Sequence, residues 1–188
     1  VEWKTRGHDR MPGLHEALLA RGFAPEEPES IMIGEAALLV QDVALPDGVE
    51  LRRATTDEEV MAMERMQGIV FADPDWRSRA AATIRRMRQD GSMQLWIAVV
   101  GDEVVGAGRL EPVPGTEFAG LWGGATLPDR RGQGIYRALT AERARAALSQ
   151  GTRYLQSDST EFSRPILERA GLVRVSTTTP YVWTPPLS

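Results

Sequence analysis

Four residues, Arg131-Gly132-Gln133-Gly134, stand immediately ahead of a strongly helical run, "IYRALTAERARAAL". The first turn of a helix presents backbone N–H groups that have no intrahelical partner, and the aligned peptide dipoles add about half a positive charge there. Glycines at such a place let an anion approach the backbone closely. Arg131 adds a charged donor at the rim. The chemistry that fits is anion capture, with a pyrophosphate the obvious ligand. An ordinary glycine-containing strand-to-helix turn accounts for the same residues. A Walker loop does not, because no Gly-Lys-Ser/Thr follows, and the dinucleotide pattern G-x-G-x-x-G is also missing.

The elements that must hold this turn are readable around it. "VELRRA" (49–54) predicts a strand, and Thr56 with Glu59 forms a capping-box pattern that starts a helix through "VMAMERMQGIVF". A second helix is expected from Trp76 to Gln89. "MQLWIAVV" and "EVVGAGRLEPV" read as strands joined by a tight Gly101-Asp102 hairpin. "FAGLWGGATL" reads as a third strand, interrupted at Gly123-Gly124. After the turn and its helix come a strand at "TRYLQS", a short helix around 164–170 ending at Gly171, and a last strand at "TPYVWT". Upstream, "GLHEALLARG" (13–22) predicts a helix closed by Gly22, and "SIMIGEAALLV" one strand, or two split at Gly34. Three consecutive strands exclude a plain doubly wound sheet and favour a mixed α/β sheet flanked by helices.

Composition narrows the function classes. The chain has 188 residues, 42% of them hydrophobic, which suits one domain with an appendage. A net charge of −4 argues against a nucleic-acid-binding surface as the main role. There is no cysteine, and His8 and His15 are the only histidines, so a metal centre is not expected. No apolar run approaches the roughly 20 residues of a membrane span, and no signal peptide is evident. A cytoplasmic protein is the default expectation. Lys4 is the only lysine among many arginines, as in a GC-rich bacterial genome.

"ATLPDRRGQGIYRAL" resembles motif A of the GCN5-related N-acetyltransferase (GNAT) superfamily, Arg/Gln-x-x-Gly-x-Gly/Ala after a strand ending in a Val-x-Pro-like segment. Thr126-Leu127-Pro128 stands in the Val-x-Pro position and Arg131-Gly132-Gln133-Gly134-Ile135-Tyr136 in the loop. The expected element order from Val49 to Thr184 also matches, over nearly three quarters of the chain. The resemblance implies the GNAT fold, a central twisted mixed sheet flanked by helices, and acetyl-CoA as acyl donor. Amides of residues 132–136 would hold the pyrophosphate. Gly124, Ala125 and Thr126 would pair their backbone with the pantetheine arm. Gly123-Gly124 would mark where the strand bulges and parts from its neighbour.

Two positions depart from the family pattern. The final Gly or Ala of the motif is Tyr136, whose ring must point away from the phosphates or stack on the coenzyme. The tyrosine that many members use to reprotonate the thiolate, four residues before the glycine closing the last helix, is replaced by Leu167. The family's coenzyme-contacting Asn, seven residues earlier, is Thr160. Pro165 belongs in a first helical turn, so that helix starts near Ser163, which could donate to the coenzyme sulfur or serve as a simple N-cap.

Amine acetylation needs a neutral amine, a polarised thioester carbonyl and a route for one proton. A backbone amide near Gly124 to Thr126 would meet the carbonyl. Candidate bases are Glu111 and Glu117, on or near that strand, and Asp158 and Glu161 in the polar loop; Ser163, Glu117 and Asp158 are the leading catalytic candidates. Asp73 and Asp75, with Trp76 and Trp122, lie where the family shapes its acceptor pocket. The expected function is transfer of acetyl from acetyl-CoA to a primary amine of a small molecule or peptide. The alternative is a catalytically silent acyl-CoA-binding or regulatory module. No metal, nucleic acid or membrane partner is expected.

The front of the chain echoes its end. In "GLHEALLARGFAPEEPESIMI" (13–33) and "FSRPILERAGLVRVSTTTPYVW" (162–183), Gly22 matches Gly171, Phe23 matches Leu172 and Leu18 matches Leu167. Glu2-Trp3-Lys4 would be the preceding strand. Residues 1–44 therefore read as a half-repeat appended to a 45–188 acetyltransferase domain, with Met32, Leu38 and Leu39 buried. Such a piece must dock on the catalytic sheet or on a second chain, for which a homodimer is one arrangement.

Overall fold

The computed structural model describes residues 1–185. In chain order these form β1 (Glu2–Arg6), α1 (Leu14–Leu19), β2 (Ala24–Pro25), β3 (Glu29–Glu35), α2 (Ala36–Leu39), β4 (Val49–Ala54), α3 (Asp57–Phe71), α4 (Trp76–Gln89), β5 (Gln94–Val100), β6 (Glu103–Pro112), β7 (Phe118–Thr126), a 3-10 turn (Pro128–Arg130), α5 (Ile135–Ser149), β8 (Tyr154–Ser159), α6 (Arg164–Arg169) and β9 (Val173–Val182). The fold is mixed α/β. The chain divides into two compact units, Gly34–Gln156 and a second in which Val1–Ile33 joins the residues from Ser157 onward. The division crosses the expected 44/45 boundary, since residues 34–44 fall with the larger unit.

In the larger unit β4, β5, β6 and β7 form an antiparallel meander, and β8 runs parallel to β7. Alternate side chains of a strand point to opposite faces, and both faces are covered. Met63 and Met66 of α3 pack with Leu95, Ile97, Ala107 and Ala125, and Ile84 and Met87 of α4 join them. On the other face Ile135 and Leu139 of α5 pack with Val49, Ala98 and Val105. That double burial explains why β5 reads as a nearly continuous apolar run. Each fully buried large side chain contributes about 1.5–3 kcal/mol. The capping box at the start of α3 forms as its residues predict: Thr56 Oγ1 accepts from the Glu59 amide at 3.2 Å, and Glu59 accepts from the Thr56 amide at 3.1 Å.

In the smaller unit β9 is flanked by β1 on one edge and by β2 and β3 on the other, all antiparallel. The likeness between front and end extends to the helix caps. Gly22 and Gly171 both take the left-handed conformation, with φ 80° and 97°. Three bonds repeat: Arg21 N–H to Leu18 O and Ala170 N–H to Leu167 O (3.0 and 3.1 Å), Gly22 to Leu19 and Gly171 to Glu168 (both 2.9 Å), Phe23 to Leu18 and Leu172 to Leu167 (3.1 and 3.0 Å). Leu18 and Leu167 are both buried.

"SIMIGEAALLV" differs from expectation. The strand ends at Glu35, and Ala36–Leu39 coil into one helical turn that packs on α5. Ala and Leu are strong helix formers, and a helical turn places Ala36 and Leu39, three apart, on one buried side. Met32 and Leu39 are buried as expected, whereas Leu38 is half-exposed on the far side of that turn.

Candidate functional site

Gly134 is the N-cap of α5 at φ 84°, a left-handed conformation that side-chain-bearing residues rarely adopt. It contributes no side-chain cap, and Ile135, Tyr136 and Arg137 put no acid into the first turn. The helix therefore begins with its positive end uncompensated by its own sequence. Gly132, at φ 77°, faces open space where a Cβ would stand. The loop is braced from outside the turn: Arg131 Nε donates to Thr126 O at 3.3 Å, and Gln133 Nε2 to Asp129 O at 3.2 Å. Ile135 is buried in the core, which ties the helix start to the sheet.

Tyr136 is half-buried, and its ring lies against β7: a Cβ added to Gly124 would stand 2.8 Å from Tyr136 Cε2. Thr140 Oγ1 donates to Tyr136 O at 2.8 Å. One turn further, Arg143 is fully buried and donates to the carbonyls of Leu139 and Arg109 at 3.1 and 3.4 Å and to Thr140 Oγ1 at 3.2 Å. Burial pushes its pKa down, and Tyr136 acts in the opposite direction.

The edge of β7 is opened beside this helix start. Among the described residues its parallel pairing with β8 comprises Phe118↔Tyr154, Ala119↔Leu155 and Gly120↔Gln156. From Leu121 onward β7 is paired with β6. The sequence places the parting at Gly123-Gly124, but the ladder ends three residues earlier. Gly123-Gly124 is instead the bulge that shifts register against β6 between Ala107 and Arg109. Gly123 sits at φ 59°, and its carbonyl accepts from Gln67 Nε2 of α3 at 2.6 Å. At the end of the edge Thr126 is buried, and its Oγ1 has no hydrogen-bond partner among the described residues.

The carboxylates in this unit are differently engaged. Glu111 takes two hydrogen bonds from Arg86, at 2.9 and 2.7 Å, and ion-pairs with Arg109. Asp73 ion-pairs with Arg79, and Asp75 is the exposed N-cap of α4. Trp76 packs on Gly68 of α3, with Arg77 stacked 4.4 Å from the ring centroid, so it locks the two helices together. Glu117 is exposed just before β7, and its carboxylate makes no hydrogen bond among the described residues. It lies about 10 Å along the strand from Gly120 at about 3.3 Å per residue.

In the smaller unit Asp158 accepts from Lys4 Nζ at 3.0 Å, and Glu29 from the same nitrogen at 3.2 Å. Burial lowers the Lys4 pKa, but the hydrogen bond and charge of Asp158, followed by Glu29, outweigh it and leave the ammonium above its usual value. Ser163 occupies the N-cap position of α6 without making a side-chain cap bond; its hydroxyl lies 3.4 Å from both Thr160 Oγ1 and Thr160 O. Glu161 is engaged by Arg164 at 2.5 Å. Leu167 is buried.

The larger unit thus gathers the 131–136 loop, Gly124, Ala125, Thr126 and Tyr136. Asp158, Thr160 and Ser163 lie in the smaller one. Arg109 and Arg86 were not singled out from the sequence. The signal was present in the alternation of "GRLEP", which puts Arg109 and Glu111 on one face. Among the described residues, no helix is long and apolar enough to cross a membrane.

A family model, the acetyltransferase (GNAT) family, matches residues 58–171, more than half of the chain. Among curated proteins no sequence matches. Solved structures resemble the chain at low identity, which speaks for the fold. A GCN5-related N-acetyltransferase from Kribbella flavida is 16% identical with a TM-score of 0.65, the match covering 96% of this chain and 66% of that one. A tandem GNAT protein from the clavulanic acid biosynthesis pathway is 14% identical with a TM-score of 0.69, covering 96% and 62%. A predicted acetyltransferase with acetyl-CoA from Clostridium acetobutylicum is 12% identical with a TM-score of 0.57, covering 65% and 88%. The chain spans less than two thirds of the length of the first two.

Proposed function

The chain belongs to the acetyltransferase (GNAT) family, and on that footing we propose that it transfers acetyl from acetyl-CoA to a primary amine of a small molecule or peptide. The observation that carries this reading is the bare start of α5 beside the unpaired edge of β7. Bound there, acetyl-CoA supplies an acyl group activated as a thioester. Amides of residues 132–136, with Arg131 at the rim, hold its pyrophosphate. Gly124, Ala125 and Thr126 offer backbone groups to the pantetheine arm, and an amide of the same edge polarises the thioester carbonyl. The buried, unpartnered Thr126 hydroxyl and the open space at Gly132 fit such a ligand.

In the transfer the N–C bond forms as the C–S bond breaks; one proton leaves the nitrogen and one is taken up by the sulfur. Glu117, whose carboxylate makes no hydrogen bond among the described residues, is the proposed base. About 10 Å of strand separates it from Gly120 alone, so in this reading it acts through a chain of waters rather than by direct contact. Asp158, which shares the Lys4 ammonium with Glu29, has an electrostatic role in this reading. For Thr160 and Ser163 this reading keeps the roles that the family resemblance implies, contact to the coenzyme and donation to its sulfur. Residues 1–44 are read as a half-repeat that stabilises the protein.

Leu167 in place of an acidic hydroxyl favours a second reading, a catalytically silent coenzyme-binding module. Calorimetry with acetyl-CoA, ATP and NAD, followed by thiol release across a panel of amines, tests both. Micromolar acetyl-CoA binding with thiol release supports the enzyme. Binding without release over the whole panel supports the silent module, and preference for ATP or NAD overturns both.

A further inference from the structure

Two arginines share one carboxylate on the face of β6 that α4 covers. Arg86 of α4 forms a two-pronged pair with Glu111, which by itself ties the helix to the strand. Arg109, two residues before Glu111 and so on the same face, approaches the same carboxylate through Nε. That Nε is buried but makes no aligned hydrogen bond, and the Nη groups of Arg109 bond to no protein atom among the described residues. Two guanidinium groups against one carboxylate leave one positive charge in surplus. The side chains of Arg109 and Glu111 are only 27% and 15% exposed, so solvent screens that charge incompletely.

Its place in the sheet gives the charge a use. Glu111 stands opposite Gly120, the last β7 residue paired with β8, and Arg109 opposite Trp122, on the newly opened edge. One strand spacing, about 4.8 Å, separates them. The Trp122 indole lies over Gly120 closely enough that a Cβ there would collide with it. An amine reaching a thioester on this edge from the α4 side meets an indole and a guanidinium with free prongs.

We propose that Arg109 binds a carboxylate of the acceptor, making the substrate class an amino acid or another amine with a carboxylate a few bonds from its nitrogen; the inference rests on the acetyl-transfer reading above. A surplus of one charge matches a carboxylate better than a phosphate monoester, which carries about −1.5 to −2 at neutral pH. The fork geometry of Arg109 matches a planar carboxylate.

The test is calorimetry of the full chain, with and without CoA, using amino acids against their own decarboxylated amines: alanine and ethylamine, phenylalanine and phenethylamine, ornithine and putrescine. At least one amino acid is expected to bind about tenfold or more tightly than its amine partner, the scale of one charge-assisted pair. Arg109→Gln should erase the difference, and Arg109→Lys should restore part of it. Retained CoA affinity and an unchanged far-UV spectrum in both variants show that the fold is intact. Equal binding within every pair, no binding by any pair, or a preference that survives Arg109→Gln overturns the proposal. Thiol release that is equal within every pair leaves acetyl transfer standing while this proposal falls. Absent thiol release with a carboxylate preference lost in Arg109→Gln does the reverse.

Discussion

The two long helices α3 and α5 are both 15 residues, pack on opposite faces of one sheet and begin in opposite ways. At α3 Thr56 and Glu59 close a reciprocal cap, and Asp57, Glu58 and Glu59 place three acids in the first turn. The positive end of that helix is satisfied by its own sequence. At α5 a left-handed glycine stands at the cap, no acid follows, and the neighbouring side chains, Arg131 and Gln133, reach back to the preceding segment rather than onto the helix amides. Stability alone favours the first solution. The second leaves a site for an anion that comes from outside, and the helix start is held by the Ile135 and Tyr136 side chains packing on the sheet.

Placing an acid at the bare start should remove the contrast. Gly134→Asp sets a carboxylate against the pyrophosphate site and is expected to weaken acetyl-CoA binding by roughly 100-fold, on the scale of a lost charge-assisted contact. Calorimetry reads the affinity and circular dichroism the fold; unchanged affinity would sink the anion reading. Gly134→Ala, carrying backbone strain without the charge, should keep most of the affinity.

The packing that replaces a cap is tested by Gly124→Ala, which forces a methyl against Tyr136 and should cost about 1–3 kcal/mol. Adding Tyr136→Ala removes the clash, so the double variant should lose less than the sum of the two singles in urea unfolding. Strict additivity would show that the two residues do not meet. Arg137→Glu, on the exposed side of the first turn, imitates the acids of α3 and should weaken acetyl-CoA about tenfold, with the effect shrinking at high salt. A salt-independent loss would point away from electrostatics.

The smallest effect belongs to the closed cap. Thr56→Ala should cost about 1 kcal/mol and lower the melting temperature by about 2–4 °C in scanning calorimetry. Acetyl-CoA affinity should stay within about twofold, since the α3 start has no anion to hold. A larger loss of affinity would show that the two helix starts are coupled.

The contrast between these helices was legible in the letters, because each start is decided by residues within four positions of one another. The strands and the glycine-closed helices were legible for the same reason. Where β7 leaves β8 was not: Gly120 looks no different from Gly123 or Gly124, and the end of a ladder depends on the course of a strand some 35 residues further along. The bulge at Gly123 was marked by its glycines, but its anchor, Gln67 of α3, comes from 56 residues away. Ala36–Leu39 followed an apolar run that fits a strand equally well, and packing on α5 selected the helical turn.

By itself the sequence determined the element order, the capped start of α3 and the bare start of α5, since those follow from backbone geometry, side-chain length and hydrogen bonds closed inside one turn. The tertiary structure decided which groups are left over. Arg109 has a surplus charge only because Arg86, 23 positions earlier, has taken both oxygens of Glu111. Asp158 is ion-paired because Lys4, at the other end of the chain, reaches it at 3.0 Å. Ion pairing and strand register join residues far apart in the chain, and their partners are chosen by the packing of the whole unit rather than by local conformational preference.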